Sequence, residues 1–289
     1  MRNAFIDELL LSAELNNNLY LIVGDLGYGV IDSFQEKFPD KLINSGIAEQ
    51  NMVGIAAGLA SEGAKVFTYS IANFPVFRCA EQLRNDVDYH DLDVTTVAIG
   101  GGVAYGNLGY SHHAVQDYGF MRSLPNTLIF APGDPFEVRA CMSAINNSTG
   151  PKYLRLGKTG EQNFNMTIPN ILEGELNIVK SRKVDNKKII LSTGASLSYA
   201  NKLFEKSNAS ALISLPIWGE KVKNKIYSAL LQYEEIVVVE DHMKFGGLYS
   251  FIRETGIDST ITSISFSNDL IGKVGSQNYL NKIGWNLVE

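Results

Sequence analysis

The stretch Gly46-Ile47-Ala48-Glu49-Gln50-Asn51-Met52-Val53-Gly54-Ile55-Ala56-Ala57-Gly58-Leu59-Ala60 opens on a glycine and an acid, then runs through small and apolar residues. From Ala48 it predicts a small-residue helix with Glu49 at the end that the helix dipole makes favourable for an acid. Working outward, Leu19-Tyr20-Leu21-Ile22-Val23 on the N-terminal side predicts a buried strand closed by Gly24-Asp25. Before it, residues 3–15 read as an amphipathic helix carrying Phe5, Ile6, Leu9, Leu10 and Ala13 on one side. On the C-terminal side come a strand at 65–69, a helix at 77–87 and a strand at 94–99 that enters a glycine-rich loop, 100–109. A helix at 115–122, a strand at 127–131, a helix at 135–145 and a strand at 152–156 follow. The sequence then turns polar, with a short hairpin expected within 171–179. Alternation resumes with strands at 188–191, 211–215 and 235–240 and helices at 197–206 and 221–231. This order predicts an α/β fold: two domains with mostly parallel sheets flanked by helices, at 1–165 and 180–289, joined by a linker at 166–179.

Composition narrows the class. Of 289 residues, 45% are hydrophobic and 19% charged, as in soluble globular proteins. Twenty-five Lys and Arg against 31 Asp and Glu leave a net charge of −6, which argues against nucleic acid or an anionic membrane as the main partner. Cys79 and Cys141 lack metal-ligand spacing and fit a reducing compartment. Acids interrupt the apolar start Met1-Arg2-Asn3-Ala4-Phe5-Ile6-Asp7-Glu8, so it is no secretory signal, and a cytoplasmic location is expected.

The glycine-rich loop is not a nucleotide motif. Gly100-Gly101-Gly102-Val103-Ala104-Tyr105-Gly106 does not match GxGxxG. Gly157-Lys158-Thr159 ends like a P-loop, but Lys152 stands where that motif requires glycine.

The segment around Glu49 closely resembles the G-[IV]-[AR]-E-[QH] signature of transketolases and deoxyxylulose-phosphate synthases. Other blocks follow in that family's order: Val23-Gly24-Asp25-Leu26, Tyr69-Ser70 to Arg78 and Gln82, Gly109-Tyr110-Ser111-His112-His113, Leu124-Pro125-Asn126, Ala131-Pro132 with Asp134, and Val238-Val239-Glu240-Asp241-His242 with Gly246-Gly247. The resemblance implies a pyrimidine-binding thiamine diphosphate domain followed by a transketolase C-terminal domain. It implies that Glu49 is catalytic, bonding N1′ of the cofactor's aminopyrimidine and favouring its imino tautomer. Asp25, Tyr69, Phe74 and Arg78 would be further cofactor contacts, Tyr69 and Phe74 as candidates for stacking on the pyrimidine. Ordinary core packing competes for both aromatics, and a turn role competes for Asp25. His112 matches the family's substrate-facing histidine, and His113 replaces a common glutamine beside it. Arg2 and Arg155 fall where transketolases place arginines for the substrate phosphate.

Departures from the family pattern bear on the substrate. Gly29 and Gly100 stand roughly where the family has a serine and a histidine as further phosphate contacts, and Leu108 where an aspartate recognises a sugar hydroxyl, so the sugar end is expected to be rebuilt. A modified or non-phosphorylated sugar, as in specialised or polysaccharide pathways, is the expectation. It fails if xylulose 5-phosphate proves the most efficient donor. The family's Gly-Asp-Gly motif for diphosphate and Mg²⁺ (or Ca²⁺) is missing, because Gly24-Asp25-Leu26 and Gly133-Asp134-Pro135 both fail at the third position. The chain would bind no metal itself and would need an N-terminal transketolase subunit, most simply in an α2β2 heterotetramer. Two alternatives stay open: the beta subunit of a 2-oxo-acid dehydrogenase, distinguished by decarboxylation of an oxo acid, and an inactive scaffold subunit.

Overall fold

The computed structural model describes residues 1–158 and 160–285; Thr159 and residues 286–289, the last four of the 180–289 region, lie outside it. Twelve strands among the described residues form two sheets. The first sheet takes β1 (Leu19–Val23), β2 (Leu42–Asn44), β3 (Lys65–Ile71), β4 (Val94–Ile99), β5 (Leu128–Phe130) and β6 (Lys152–Leu156). The second takes β7 (Asn177–Ser181), β8 (Lys188–Ser192), β9 (Ala211–Ser214), β11 (Glu235–Met243) and β12 (Thr260–Phe266). The short β10 (Ile217–Trp218) lies between β9 and β11 in sequence but belongs to the first sheet.

The first sheet runs β10-β5-β6-β4-β3-β1-β2 and the second β12-β11-β8-β9-β7. All pairings are parallel except β10 with β5 and β7 with β9. Strand parity explains how the first sheet buries both faces. Leu21, Phe67, Tyr69 and Val97 pack with Phe5, Ile6, Leu9 and Ala13 of the helix Arg2–Leu15. Ile22, Val66 and Ala98 pack with Met52, Val53, Ala56 and Ala60 of the helix Glu49–Ser61. Each such fully buried aliphatic or aromatic side chain contributes about 1.5–3 kcal/mol.

The chain steps from β1 outward to β2, then returns to the other side of β1 for β3 and β4. That reversal opens a crevice at the carboxyl ends of β1 and β3, where open α/β sheets hold their ligands. The predicted alternation is largely present, with informative differences. The expected helix at 77–87 starts earlier, at Phe74 with Pro75 in its first turn, and is broken into Phe74–Phe77, Ala80–Gln82 and a π-helical turn Leu83–Asp88. No hairpin forms within 171–179; β7 instead pairs across to β9. Residues 217–218 complete the first sheet, and Tyr118 packs edge-on against Trp218 (ring centroids 5.3 Å apart), so the two regions share one core. Among the described residues no helix is long and apolar enough to cross a membrane.

Candidate active site

Glu49 is the first residue of its helix, directly after β2 and Gly46, whose φ of +73° suits a residue without Cβ. Its side chain sits against Gly24 at the end of β1 and is only 5% exposed. One carboxylate oxygen, Oε2, accepts a hydrogen bond from Arg78 Nη1 at 3.1 Å. The other has no protein partner among the described residues. The Arg78 side chain remains 54% exposed, and its guanidinium lies 4.5 Å from the centroid of the half-buried Phe74 ring. His112 meets that ring edge-on at 5.1 Å. Glu49, Arg78, Phe74 and His112 therefore form one contiguous cluster, assembled from segments 63 residues apart (112 − 49).

The helix break after β3 is what aims this cluster. Asn73, just before Phe74, donates from Nδ2 to the Ser111 carbonyl at 2.8 Å and so docks the histidine loop beside the aromatic ring. His112 Nδ1 lies 3.0 Å from Ser111 Oγ, while Nε2 has no protein partner among the described residues. Cys79 lies beneath, buried, with its thiol pushed up to about 12 chiefly by burial and secondarily by the Glu49 charge. It is thus held as an inert thiol. In front of Glu49 is an open recess of about 470 Å³ lined by Ile47, Ala48, Glu49, Gln50, Asn51 and Arg78. A larger groove of about 740 Å³ beside the helix Pro135–Asn146 carries only Glu173 and Lys225 as ionisable lining groups, which is a poor setting for chemistry.

Asp25 follows β1 in the left-handed region, at φ +54°. Its backbone N–H donates to Asn44 Oδ1 at 3.1 Å, while its Oδ1 accepts from Asn44 Nδ2 at 3.0 Å and from the Tyr28 hydroxyl at 2.7 Å. The Asn44 bond first, then that of Tyr28, holds this exposed carboxyl below the usual range. Asp25 thus stands at the mouth of the crevice as an ionised, oriented group.

Other expected site residues lie elsewhere. Tyr69 does not reach the recess. It points to the opposite face of β3, is 2% exposed and stacks on Phe5 at 6.1 Å and 19°, so Phe74 is the aromatic ring beside Glu49. Arg155 is not open to a substrate phosphate, because it is 2% exposed and all five of its N–H donors are engaged. The partners are Asp117 Oδ2 (2.7 Å), the Tyr118 hydroxyl (3.1 Å), Asp241 Oδ1 (2.7 Å) and the carbonyls of Ala114 (2.8 Å) and Asp241 (3.2 Å). His113 is buried, with neither ring nitrogen in a well-formed hydrogen bond; burial lowers its pKa, against a smaller upward pull from the Gly106 backbone.

Arg2 is half-buried, with its Nε lacking a partner among the described residues, and its charge acts on Tyr69 and Tyr105. The cation that joins it is Lys158, whose ammonium lies 4.9 Å from the Tyr105 ring centroid. The sequence reading missed this lysine. Its signal was a Gly157-Lys158 pair just after β6, at the carboxyl end of the parallel strands, the end at which the crevice opens. Gly100, where the family pattern has a histidine, has φ +81°, and a Cβ there would meet the Tyr105 ring at 2.2 Å. Tyr105 occupies the space that a side chain at that position would need.

The residues fit the aminopyrimidine end of thiamine diphosphate: a sequestered carboxylate with one oxygen unpartnered beside a half-exposed aromatic ring. Among the described residues no group of three or more His, Cys, Asp or Glu side chains is arranged to hold a metal ion.

Comparison with known proteins agrees with this geometry. Residues 1–160 match the transketolase pyrimidine binding domain, and the chain belongs to the transketolase family. It is 30% identical over 260 residues to a subunit of the apulose-4-phosphate transketolase of Actinobacillus succinogenes, covering 88% of this chain and 82% of that protein. It is also 30% identical over 292 residues to a Methanocaldococcus jannaschii protein described provisionally as a transketolase C-terminal section, covering 98% and 90%. A split-gene transketolase solved as an inactive beta4 tetramer superposes with a TM-score of 0.81 at 27% identity, covering 98% and 93%. The chain corresponds to the C-terminal section of a transketolase.

Proposed function

We propose that this chain supplies the aminopyrimidine-facing half of a thiamine diphosphate site and carries out ketol transfer together with an N-terminal transketolase subunit. The observation that carries this reading is the Glu49 carboxylate, sequestered from water, gripped through one oxygen by Arg78 and, among the described residues, without a partner at the other. When bound, thiamine diphosphate supplies the nucleophilic carbon and the electron sink for breaking and making a bond beside a ketose carbonyl. Glu49 would share a proton at N1′, and its burial keeps water from competing for that bond. Arg78 fixes the carboxylate while its guanidinium lies over one face of the Phe74 ring, a side chain able to stack on an aromatic base. His112, tied through Nδ1 to Ser111, turns Nε2 toward substrate oxygens. Asp25 would add a fixed negative charge on the thiazolium side of the bound cofactor.

The diphosphate with its Mg²⁺ (or Ca²⁺) is assigned to the partner subunit, in an α2β2 heterotetramer. Two observations support a covering chain. Tyr28, Ile47, Phe77 and Leu108, on the segments that bear the site, leave large apolar side chains exposed. The split-gene neighbour made of beta chains alone is described as inactive. For the substrate, Arg2 and Lys158 are cations suited to an anionic sugar, while Tyr105 at the Gly100 turn and the exposed Leu108 favour a sugar other than the common pentose phosphates. We place the reaction in the cytoplasm, in line with an acidic chain that has two unpaired cysteines.

The test is Glu49→Gln in the assembled complex. Turnover should be lost while the melting temperature holds, and near-normal turnover would remove Glu49 from its role.

A further inference from the structure

The saturated Arg155 cluster has a second consequence, which lies in what it holds. The loop that carries His112 and His113 leaves β4 at Gly100 and is pinched shut at its base by Gly102 and Ala114, each donating to the other's carbonyl at 2.9 Å. Arg155 grips that base through Ala114, and Asp241, at the end of β11 in the second sheet, grips Arg155. The Met243 N–H donates to the Val115 carbonyl at 2.8 Å, a further tie from β11 to the same loop. The loop's glycines are packed directly onto the pair. A Cβ on Gly101 would lie 2.4 Å from the Arg155 guanidinium carbon, and one on Gly102 would lie 2.5 Å from Asp241 Oδ2.

A rigid, desolvated ion pair thus stands between the second sheet and the base of the histidine loop, which it grips at Ala114, one residue after His113. Removing the Asp241 charge would loosen the guanidinium that holds the Ala114 carbonyl and packs on Gly101, leaving that carbonyl to the Gly102 N–H alone. We infer that the second sheet is a positioning element for the substrate side of the site, acting through Asp241 and Arg155 on the His112 loop; this rests on reading His112 as substrate-facing. Asp241 and Arg155 touch neither cofactor nor substrate, so both are positioning residues. The Glu49 recess meets this linkage only at the tip of the loop, where Asn73 donates to the Ser111 carbonyl and Phe74 faces His112; Glu49, Arg78 and Phe74 share no hydrogen bond or ion pair with Arg155, Asp241 or Ala114 among the described residues.

The test uses the full chain assembled with its partner subunit and compares wild type, Asp241→Asn and Arg155→Lys by amide hydrogen exchange and donor kinetics. Asp241→Asn keeps the volume and removes the charge. Exchange across 102–116 should quicken by roughly tenfold, within the range of such couplings, while 49–61 stays unchanged. Donor KM should rise and kcat fall together, with thiamine diphosphate affinity held. Arg155→Lys keeps the charge but not the fork, and should give a smaller effect in the same direction. Exchange that rises evenly over the whole chain, or not at all in 102–116, would overturn the proposal and leave the pair as mere stabilisation. His112→Ala separates the two layers of the reading. If it keeps normal donor kinetics while Asp241→Asn still loosens the loop, the substrate role of His112 falls and the coupling stands.

Discussion

Two arginine–carboxylate pairs in this chain behave as opposites. At Arg78 and Glu49 the arginine side chain is half exposed, one carboxylate oxygen has no protein partner among the described residues, and an aromatic ring stands half open beside it. At Arg155, Asp117 and Asp241 everything is buried and every N–H of the guanidinium is engaged. A carboxylate oxygen left short of partners beside an open recess marks a place built for a ligand. The Arg155 cluster is closed to solvent, its guanidinium saturated although Asp117 Oδ1 has no partner among the described residues, and it marks architecture. Residue type alone does not separate these roles; access to solvent does, with the Arg78 side chain 54% exposed and Arg155 2%.

The largest expected effect breaks the comparison at its working end. Glu49→Ala in the assembled complex should lower turnover by about 10²–10⁴-fold, the usual yield of a positioned proton-sharing group, with thermal stability nearly unchanged. Stability should answer at the other end. Arg155→Met strands two aspartates in the interior and should cost about 3–5 kcal/mol in chemical denaturation, the range for breaking a buried pair. Arg78→Met, where the arginine itself is half exposed, should stay within about 1 kcal/mol. Equal losses for the two arginines would erase the distinction.

The two aromatics sharpen the same contrast. Phe74→Ala should weaken cofactor affinity by about 1 kcal/mol, the scale of an aromatic stack, as read by calorimetry on the complex. Tyr69→Phe should leave that affinity untouched, because its ring faces Phe5 on the far side of the sheet.

The smallest effect is a pH slope at the junction of the two sheets. Glu137 accepts from the Gly133 N–H (2.6 Å), Asn177 Nδ2 (2.7 Å) and Ser214 Oγ (3.0 Å), yet burial outweighs these donors and pushes its pKa from 4.5 up to about 7. The fold therefore favours the protonated acid. Its stabilisation is complete below about pH 4.5 and is lost as pH rises through about 7. Glu240, raised to about 8 by burial, adds a slope of the same sign. Melting temperature should fall from pH 5 to pH 8 in the wild type and fall less steeply in Glu137→Gln. An equal slope in both would remove Glu137 as its source.

Much of this was legible in the sequence, and the boundary of legibility is physical. Local patterns carried the strands β1, β3 and β4 and the helix that begins at Glu49, because apolar runs and a dipole-favoured acid depend on neighbours in sequence. The three-residue β2 is too short to carry a period, and β12 interleaves Ser and Thr with its apolar residues. Family resemblance brought Glu49, Phe74, Arg78 and His112 into one list, and the fold brings them together in space. It could not reveal that Arg155 would meet Asp241, 86 residues away, and so be withdrawn from the surface. For Tyr69 the signal was available in strand parity: it shares a face with Phe67, toward the first helix and away from Glu49.

The central claim is that the Glu49 recess is half of a cofactor site. Calorimetric titration of thiamine diphosphate with Mg²⁺ into this chain, alone and mixed with an N-terminal transketolase subunit, tests it most directly. Tight binding is expected in the mixture alone, abolished by Glu49→Ala together with Phe74→Ala. No binding in a confirmed complex, or equally tight binding to the isolated chain, would contradict it.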